Sequence, residues 1–162
     1  MNLLFVCTGN ICRSPLAEVI ARAEAEARGW VDVSCASAGT FALPGQPASG
    51  PGIAVAAARG LDLGSHASRE LSLELLEWAD LIVGMEASHA RAAEHWAPDA
   101  TVHVMTDFLP ADHGRRGGGV PDPYGGDLET YEGTWELLTL AMRGLFEVLG
   151  EGERGGREGS GS

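Results

Sequence analysis

Cys7 and Arg13 frame a segment of five residues, Thr8 to Cys12, that also contains Gly9 and Asn10. Glycine and asparagine adopt a positive φ more readily than other residues, so the segment is predicted to form a tight polar loop. Such a loop points successive backbone N–H groups into one concavity, which is suited to an anion. The arginine adds a planar pair of donors that matches two oxygens of a phosphate. The same positive field stabilises a thiolate, so Cys7 is predicted to be a nucleophile beneath an anion-binding loop.

Ser14 and Pro15 follow this loop and predict the start of a helix, with Ser14 as N-cap and Pro15 in the first helical position. The positive end of that helix adds to the anion site. The Ser14 hydroxyl could also donate to the Cys7 sulfur and stabilise it as a leaving group. This combination meets the requirements of phosphoryl transfer through a phosphocysteine. The alternative is a purely structural role for Cys7, as a buried residue at a strand end.

Apolar runs alternate with amphipathic segments along the chain, a pattern that is typical of an α/β fold. We therefore predict a doubly wound, four-stranded parallel sheet with helices on both faces. In such sheets ligands bind at the carboxyl ends of the strands, which is where the loop at 7–14 falls. The predicted strands cover 2–6, 31–36, 81–84 and 102–105, and the helices cover 14–28, 53–59, 71–78, 86–95 and 128–149.

The chain of 162 residues has the length of one domain, which we predict at 1–149. Residues 106–126 form a long glycine-rich connection, and such connections in compact domains are usually functional or disordered. Residues 150–162 carry no apolar side chains and are predicted to be a disordered tail.

Composition excludes several classes of function. All 11 basic residues are arginine, and without lysine there is no Walker-type phosphate loop and no Schiff-base chemistry. A net charge of −12 argues against nucleic-acid and anionic-membrane partners. The 3 cysteines and 5 histidines lack metal-ligand spacing, so no metal is expected. The cysteine usage favours a reducing, cytoplasmic location.

The segment Val6 to Pro15, VCTGNICRSP, resembles the phosphate loop of the low-molecular-weight protein-tyrosine phosphatases. The resemblance continues through residues 37–40, His66 and residues 122–124, and reaches about Leu149. It implies a hydrolase that needs no metal or cofactor. It also implies a phosphotyrosine protein as substrate, for which a cognate bacterial tyrosine kinase is a candidate partner. The oligomeric state is left open.

The resemblance assigns roles to individual residues. Asp122, within Pro-Asp-Pro-Tyr, matches the family's general acid, although by itself an Asp-Pro pair indicates only a turn. Tyr124 would form one wall of the substrate cleft. The implied catalytic residues are Cys7, Arg13 and Asp122, and the implied substrate-binding residues are Thr8, Gly9, Asn10, Ile11, Cys12, Ser14 and Tyr124.

Other residues have two interpretations each. Asn10 and His66 resemble a hydrogen-bond network that holds the family's loop, but a lone histidine also fits an ordinary surface or core position. Cys12 could form a disulfide with Cys7 under oxidation, or be a small apolar filler. His89 is given no role.

The phosphorylated residue is the open choice within the family. Gly125 and Gly126 after the acid resemble the bacterial protein-arginine-phosphatase branch, which has threonine where this chain has Ile11. Isoleucine is what the tyrosine-directed members carry, so we predict phosphotyrosine, with phosphoarginine as the alternative. An arsenate reductase would need further cysteines after the third strand, and a non-catalytic phosphoprotein-binding module would be expected to lack Cys7, Arg13 or Asp122.

Overall fold

The computed structural model describes the backbone of residues 1–158 and the side chains of residues 1–152. Four parallel strands form one sheet in the order β2-β1-β3-β4. Within the described residues, none of the helices has the apolar length that spanning a lipid bilayer requires. The strands are β1 (Asn2–Cys7), β2 (Ser34–Gly39), β3 (Leu81–Gly84) and β4 (Val102–Val104).

Helices cover both faces of this sheet, which confirms the predicted doubly wound α/β fold. α1, α2 and α5 pack on one face, and α3 and α4 pack on the other. The helices are α1 (Arg13–Ala27), α2 (Gly50–Ala57), α3 (Leu73–Trp78), α4 (Ala87–Trp96) and α5 (Leu128–Glu158), with a 3₁₀ turn at Met105–Phe108.

β1 is the strand that delivers Cys7 to the site, and it is buried on both faces. Leu3 and Phe5 belong to the core beneath α1 and α5, whereas Leu4 and Val6 belong to the core beneath α3 and α4. All four side chains are 0% exposed. Because alternate residues of a strand point to opposite faces, an apolar run of this length is what a central parallel strand requires.

The second strand lies three residues later than predicted, at Ser34–Gly39 instead of 31–36. The β-branched Val31 favours a strand locally, but its side chain is 89% exposed. Pairing with β1 determines the observed bounds, with Asn2 opposite Ser34 and Cys7 opposite Gly39. Small residues are needed at the end of β2, because a Cβ at Gly39 would overlap the carbonyl oxygen of Thr8 in the loop.

The predicted N-cap role of Ser14 is wrong. α1 begins at Arg13 with Cys12 as its N-cap, and no side chain caps it. The Ser14 hydroxyl is instead engaged by Cys7 and Asn10, whose contacts compete with capping.

The last helix is longer than predicted and continues to Glu158. Its buried part, which includes Leu138 and Leu145, packs in the core, and helical hydrogen bonds propagate from an established helix at little further cost. Of the predicted tail at 150–162, residues 159–162 lie outside the described residues. The boundary at Leu149 between domain and tail stays a prediction.

Candidate active site

The loop between β1 and α1 is held in its shape by Asn10. Asn10 has a φ of +56°, the left-handed conformation that asparagine tolerates better than most residues. Its side chain is 0% exposed, and Nδ2 donates to the hydroxyls of Ser14 and Ser37, at 2.9 Å each. Its Oδ1 accepts from the backbone N–H of Arg69 at 3.0 Å. His66 joins the same network, since its Nε2 lies 2.7 Å from the Asn10 carbonyl oxygen.

Cys7 lies at the bottom of this loop, with its Sγ 2.9 Å from the Oγ of Ser14. Both residues are buried, at 2% and 0% exposure. Because the Ser14 oxygen accepts from Asn10 Nδ2, its own proton is left to donate. The sulfur is the nearer acceptor, since the alternative, the Ala38 carbonyl, is 3.5 Å away. The Ser14 hydroxyl is therefore in position to donate to the Cys7 sulfur.

Arg13 is a buried cation, 3% exposed, that is balanced by two carboxylates. Its Nη1 donates to Glu86 Oε1 at 2.6 Å and to the Val120 carbonyl at 2.9 Å. Its Nη2 lies 3.9 Å from Asp122 Oδ2. Sequence reasoning missed Glu86. The one indication was its position just after β3, at the sheet edge where ligands bind in this fold.

Asp122 reaches the site because its loop is anchored to the sheet and to a buried threonine. The Val120 N–H donates to the Met85 carbonyl at 2.8 Å, and the Gly119 N–H donates to Thr106 Oγ1 at 3.0 Å. Asp122 Oδ1 in turn accepts from the Tyr124 N–H at 3.1 Å. The carboxyl group is about half exposed, so it faces the cleft and solvent together.

Most of the predicted residues meet at one cleft of about 230 Å³. Asn10 and Ser14 do not line it, because they are buried behind the loop and act through hydrogen bonds. Tyr124 stands at the rim with 73% of its surface exposed. The lining residues are Cys7, Thr8, Gly9, Ile11, Cys12, Arg13, Asp122 and Tyr124.

Cys12 lies in the floor of the cleft with 5% exposure. Its Sγ is 3.2 Å from the hydroxyl of Tyr131. Burial raises the pKa of the Cys12 thiol, and burial also raises the pKa of Tyr131 to about 12. Both groups therefore stay protonated at neutral pH. Cys7, Cys12 and Cys35 are all free thiols in this structure.

His89, for which no role was predicted, lies directly beneath the loop. Its Nε2 is 2.9 Å from Thr8 Oγ1. A lone histidine within a helix carries no local indication of such a contact, so nothing in the sequence pointed to it. Among the side chains of residues 1–152, no group of three His, Cys, Asp or Glu could hold a metal ion.

The family described as low molecular weight phosphotyrosine protein phosphatase matches residues 2–154. A low molecular weight protein-tyrosine-phosphatase of Streptomyces coelicolor is 38% identical, and the match covers 93% of this chain and 94% of that one. A protein-arginine-phosphatase of Bacillus subtilis is 33% identical, with 95% and 100% covered.

Solved structures of a tyrosine phosphatase and of an arginine phosphatase also match this chain. A low molecular weight protein tyrosine phosphatase from T. tengcongensis matches with a TM-score of 0.81 at 38% identity, covering 91% of this chain and 98% of that one. The YwlE arginine phosphatase, solved as a mutant with a phosphorylated active-site serine, matches with a TM-score of 0.84 at 32% identity, covering 95% and 99%. The chain belongs to the low molecular weight phosphotyrosine protein phosphatase family, and it is a hydrolase.

Proposed function

We propose that this protein hydrolyses phosphotyrosine in proteins, with Cys7 as nucleophile, Arg13 as phosphate ligand and Asp122 as general acid and base. The observation that carries the proposal is the buried contact of 2.9 Å between Cys7 Sγ and Ser14 Oγ, beneath a loop that also presents Arg13. A sulfur with a hydroxyl beside it, in the same cleft as Arg13, supports the role of Cys7 as the nucleophile.

The reaction proceeds in two displacements. The Cys7 thiolate attacks phosphorus, the bond from phosphorus to the phenolic oxygen breaks, and Asp122 gives its proton to that oxygen. The Asp122 carboxylate then takes a proton from water, whose oxygen attacks phosphorus and breaks the S–P bond. Arg13 and the loop N–H groups stabilise the equatorial oxygens in both steps, and Ser14 stabilises the departing thiolate.

The walls of the cleft favour an aromatic leaving group. Ile11 and Tyr124 both line it, and both offer apolar surface on which a phenyl ring can pack. Ile11 offers no hydroxyl to orient a phosphoramidate nitrogen, so the polar group of phosphoarginine would find no donor or acceptor on this side.

The Gly125–Gly126 pair is explained by the backbone, not by substrate. Gly125 has a φ of +77°, which favours glycine. A Cβ at Gly126 would lie 2.8 Å from Thr130 Cγ2 and 2.9 Å from the Pro123 carbonyl oxygen. Both glycines are therefore required by the turn into α5, and neither is among the residues that line the cleft.

Phosphoarginine is the second candidate substrate, because the Bacillus subtilis relative is named a protein-arginine-phosphatase. The test compares kcat/KM on a phosphotyrosine peptide and a phosphoarginine peptide, for the wild type and for Ile11→Thr. We expect the wild-type kcat/KM to be at least about 10-fold higher for the phosphotyrosine peptide than for the phosphoarginine peptide. In Ile11→Thr this ratio should be smaller. A wild type that prefers phosphoarginine refutes the assignment of substrate.

The covalent mechanism is tested separately with Cys7→Ser. This variant should lose turnover on both peptides and still bind inorganic phosphate, because Arg13 and the loop N–H groups remain. Activity equal to the wild type would refute a cysteine nucleophile. If the wild type also bound phosphate without hydrolysing either peptide, a non-catalytic phosphoprotein-binding module would be favoured instead.

An arsenate reductase has little support. Cys35 is the third cysteine of the chain, in addition to Cys7 and Cys12. It is buried on β2, and this burial raises the pKa of its thiol to about 11. α4 carries no cysteine to relay a disulfide outward. We propose a cytoplasmic location, where a nucleophilic Cys7 would be kept reduced, and a phosphotyrosine protein, such as a cognate bacterial tyrosine kinase, as the partner.

A further inference from the structure

The first turn of α4 packs directly beneath the phosphate loop. Its His89 is 2% exposed and forms hydrogen bonds with both ring nitrogens. Nδ1 lies 3.0 Å from the backbone nitrogen of Glu86, and Nε2 lies 2.9 Å from Thr8 Oγ1. One ring therefore connects the start of α4 to the residue that follows the nucleophile.

The hydrogen bond to Glu86 determines which ring nitrogen carries the proton. A backbone N–H can only donate, so Nδ1 of His89 accepts and has no proton. In the neutral ring the proton is then on Nε2, which donates to Thr8 Oγ1. Burial and the nearby Arg13 cation lower the pKa of His89 to about 4, so the ring is neutral at pH 7.

Thr8 is thereby held from two sides. Its carbonyl oxygen accepts from the Phe41 N–H at 2.9 Å, and its hydroxyl oxygen accepts from His89. A hydroxyl that accepts in this way still has its own proton to donate, and Thr8 is one of the residues that line the cleft. The orientation of the first loop residue after Cys7 thus depends on α4 as well as on the segment that follows β2.

We propose that His89 is a positioning residue for phosphoryl transfer, which holds Thr8 so that the loop is aligned on the phosphate before substrate binds. The inference rests on the proposed phosphatase function. Glu86 completes the arrangement, because its carboxylate holds Arg13 from the same helix start. α4 therefore aligns both ends of the loop, Thr8 through an imidazole and Arg13 through a carboxylate.

Two variants of His89 test its two hydrogen bonds separately, that of Nδ1 with Glu86 and that of Nε2 with Thr8. In His89→Asn, the side-chain oxygen can replace Nδ1 as acceptor for the Glu86 N–H, but nothing reaches Thr8. In His89→Gln, the amide nitrogen can replace Nε2 as donor to Thr8. Thr8→Val removes the hydroxyl and keeps the shape. His95→Asn makes the same chemical change at an exposed position of the same helix and is the matched control.

We expect His89→Asn and Thr8→Val each to lower kcat/KM for p-nitrophenyl phosphate by about 5- to 10-fold, the effect of one neutral hydrogen bond. The double variant should be no worse than the poorer single variant, since both remove the same bond. His89→Gln should recover activity to within about 2-fold of the wild type, and His95→Asn should be unchanged. A role in folding alone would not produce this rescue.

Three results overturn the inference: wild-type kcat/KM in His89→Asn, single effects that multiply in the double variant, or a His89→Gln variant as impaired as His89→Asn. If the His89 variants do not fold, Thr8→Val leaves the histidine in place, and full activity in that variant overturns it equally. An inactive wild type refutes the proposed phosphatase function itself, which distinguishes the two failures.

Discussion

Removal of the Ser14 hydroxyl tests the central contact of the site. Ser14→Ala takes away the donor at 2.9 Å from Cys7 Sγ but leaves Asn10 Nδ2 bonded to Ser37. The loop should therefore keep its shape while the thiolate loses a buried hydrogen bond. Hydrogen bonds to charged groups contribute about 1.5–3 kcal/mol, and sulfur is a weak acceptor, so we take about 1.5–2 kcal/mol. This predicts a fall in kcat of about 10- to 30-fold.

The loss should fall mainly on the second displacement, in which Cys7 is the leaving group. Stopped-flow measurement of p-nitrophenol release separates the two steps, and we expect Ser14→Ala to show a burst followed by a slow steady state. Ser37→Ala is the matched control, because it removes the other 2.9 Å partner of Asn10 Nδ2 and does not touch the sulfur. If Ser14→Ala kept kcat within 2-fold of the wild type, or if Ser37→Ala lowered it equally, the reasoning would be refuted.

Three further predictions concern the acid, the buried histidine and the packing of the loop. Asp122→Asn should lower kcat/KM, which reports the first displacement, by about 10²- to 10⁴-fold for aryl phosphates with a basic phenol. The loss of kcat/KM should be far smaller for p-nitrophenyl phosphate, whose leaving group needs no proton, and equal losses of kcat/KM for both substrates would argue against an acid role. The pKa of His89 is lowered from 6.5 to about 4 on folding, so the unfolded chain binds more protons between these values. The free energy of unfolding, measured by urea denaturation, should therefore rise by up to about 3 kcal/mol from pH 4 to pH 6.5 and level off above. A smaller pH dependence in His89→Asn would attribute this rise to His89. Gly39→Ala should destabilise the protein by about 1–3 kcal/mol and lower activity, because the new Cβ overlaps the Thr8 carbonyl oxygen and lies 2.9 Å from Ala42 Cβ; an unchanged urea midpoint would contradict this.

The parts of the site that lie within one short segment were predictable from the sequence. Gly9 and Asn10 indicated a tight loop, and Asn10 does have a positive φ. The five-residue spacing indicated that Cys7 and Arg13 share one concavity, and both line the same cleft. Local propensity was misleading at Val31, because strand pairing with β1 sets the bounds of β2. Valine favours a strand, but Val31 lies before β2 and is exposed to solvent.

The sequence by itself determined the α/β class, the phosphate loop and the family, because each follows from patterns that are complete within short segments of the chain. Only the tertiary structure decided how that loop is supported. Thr8 and His89 are 81 positions apart, Arg13 and Glu86 are 73 apart, and Arg13 and Val120 are 107 apart. No local pattern records such partners, since they meet only when the parallel sheet brings the carboxyl ends of β1 and β3 to one edge. The tertiary structure also decided the role of Ser14, whose hydroxyl lies 2.9 Å from both the Cys7 sulfur and Asn10 Nδ2 and does not cap the helix.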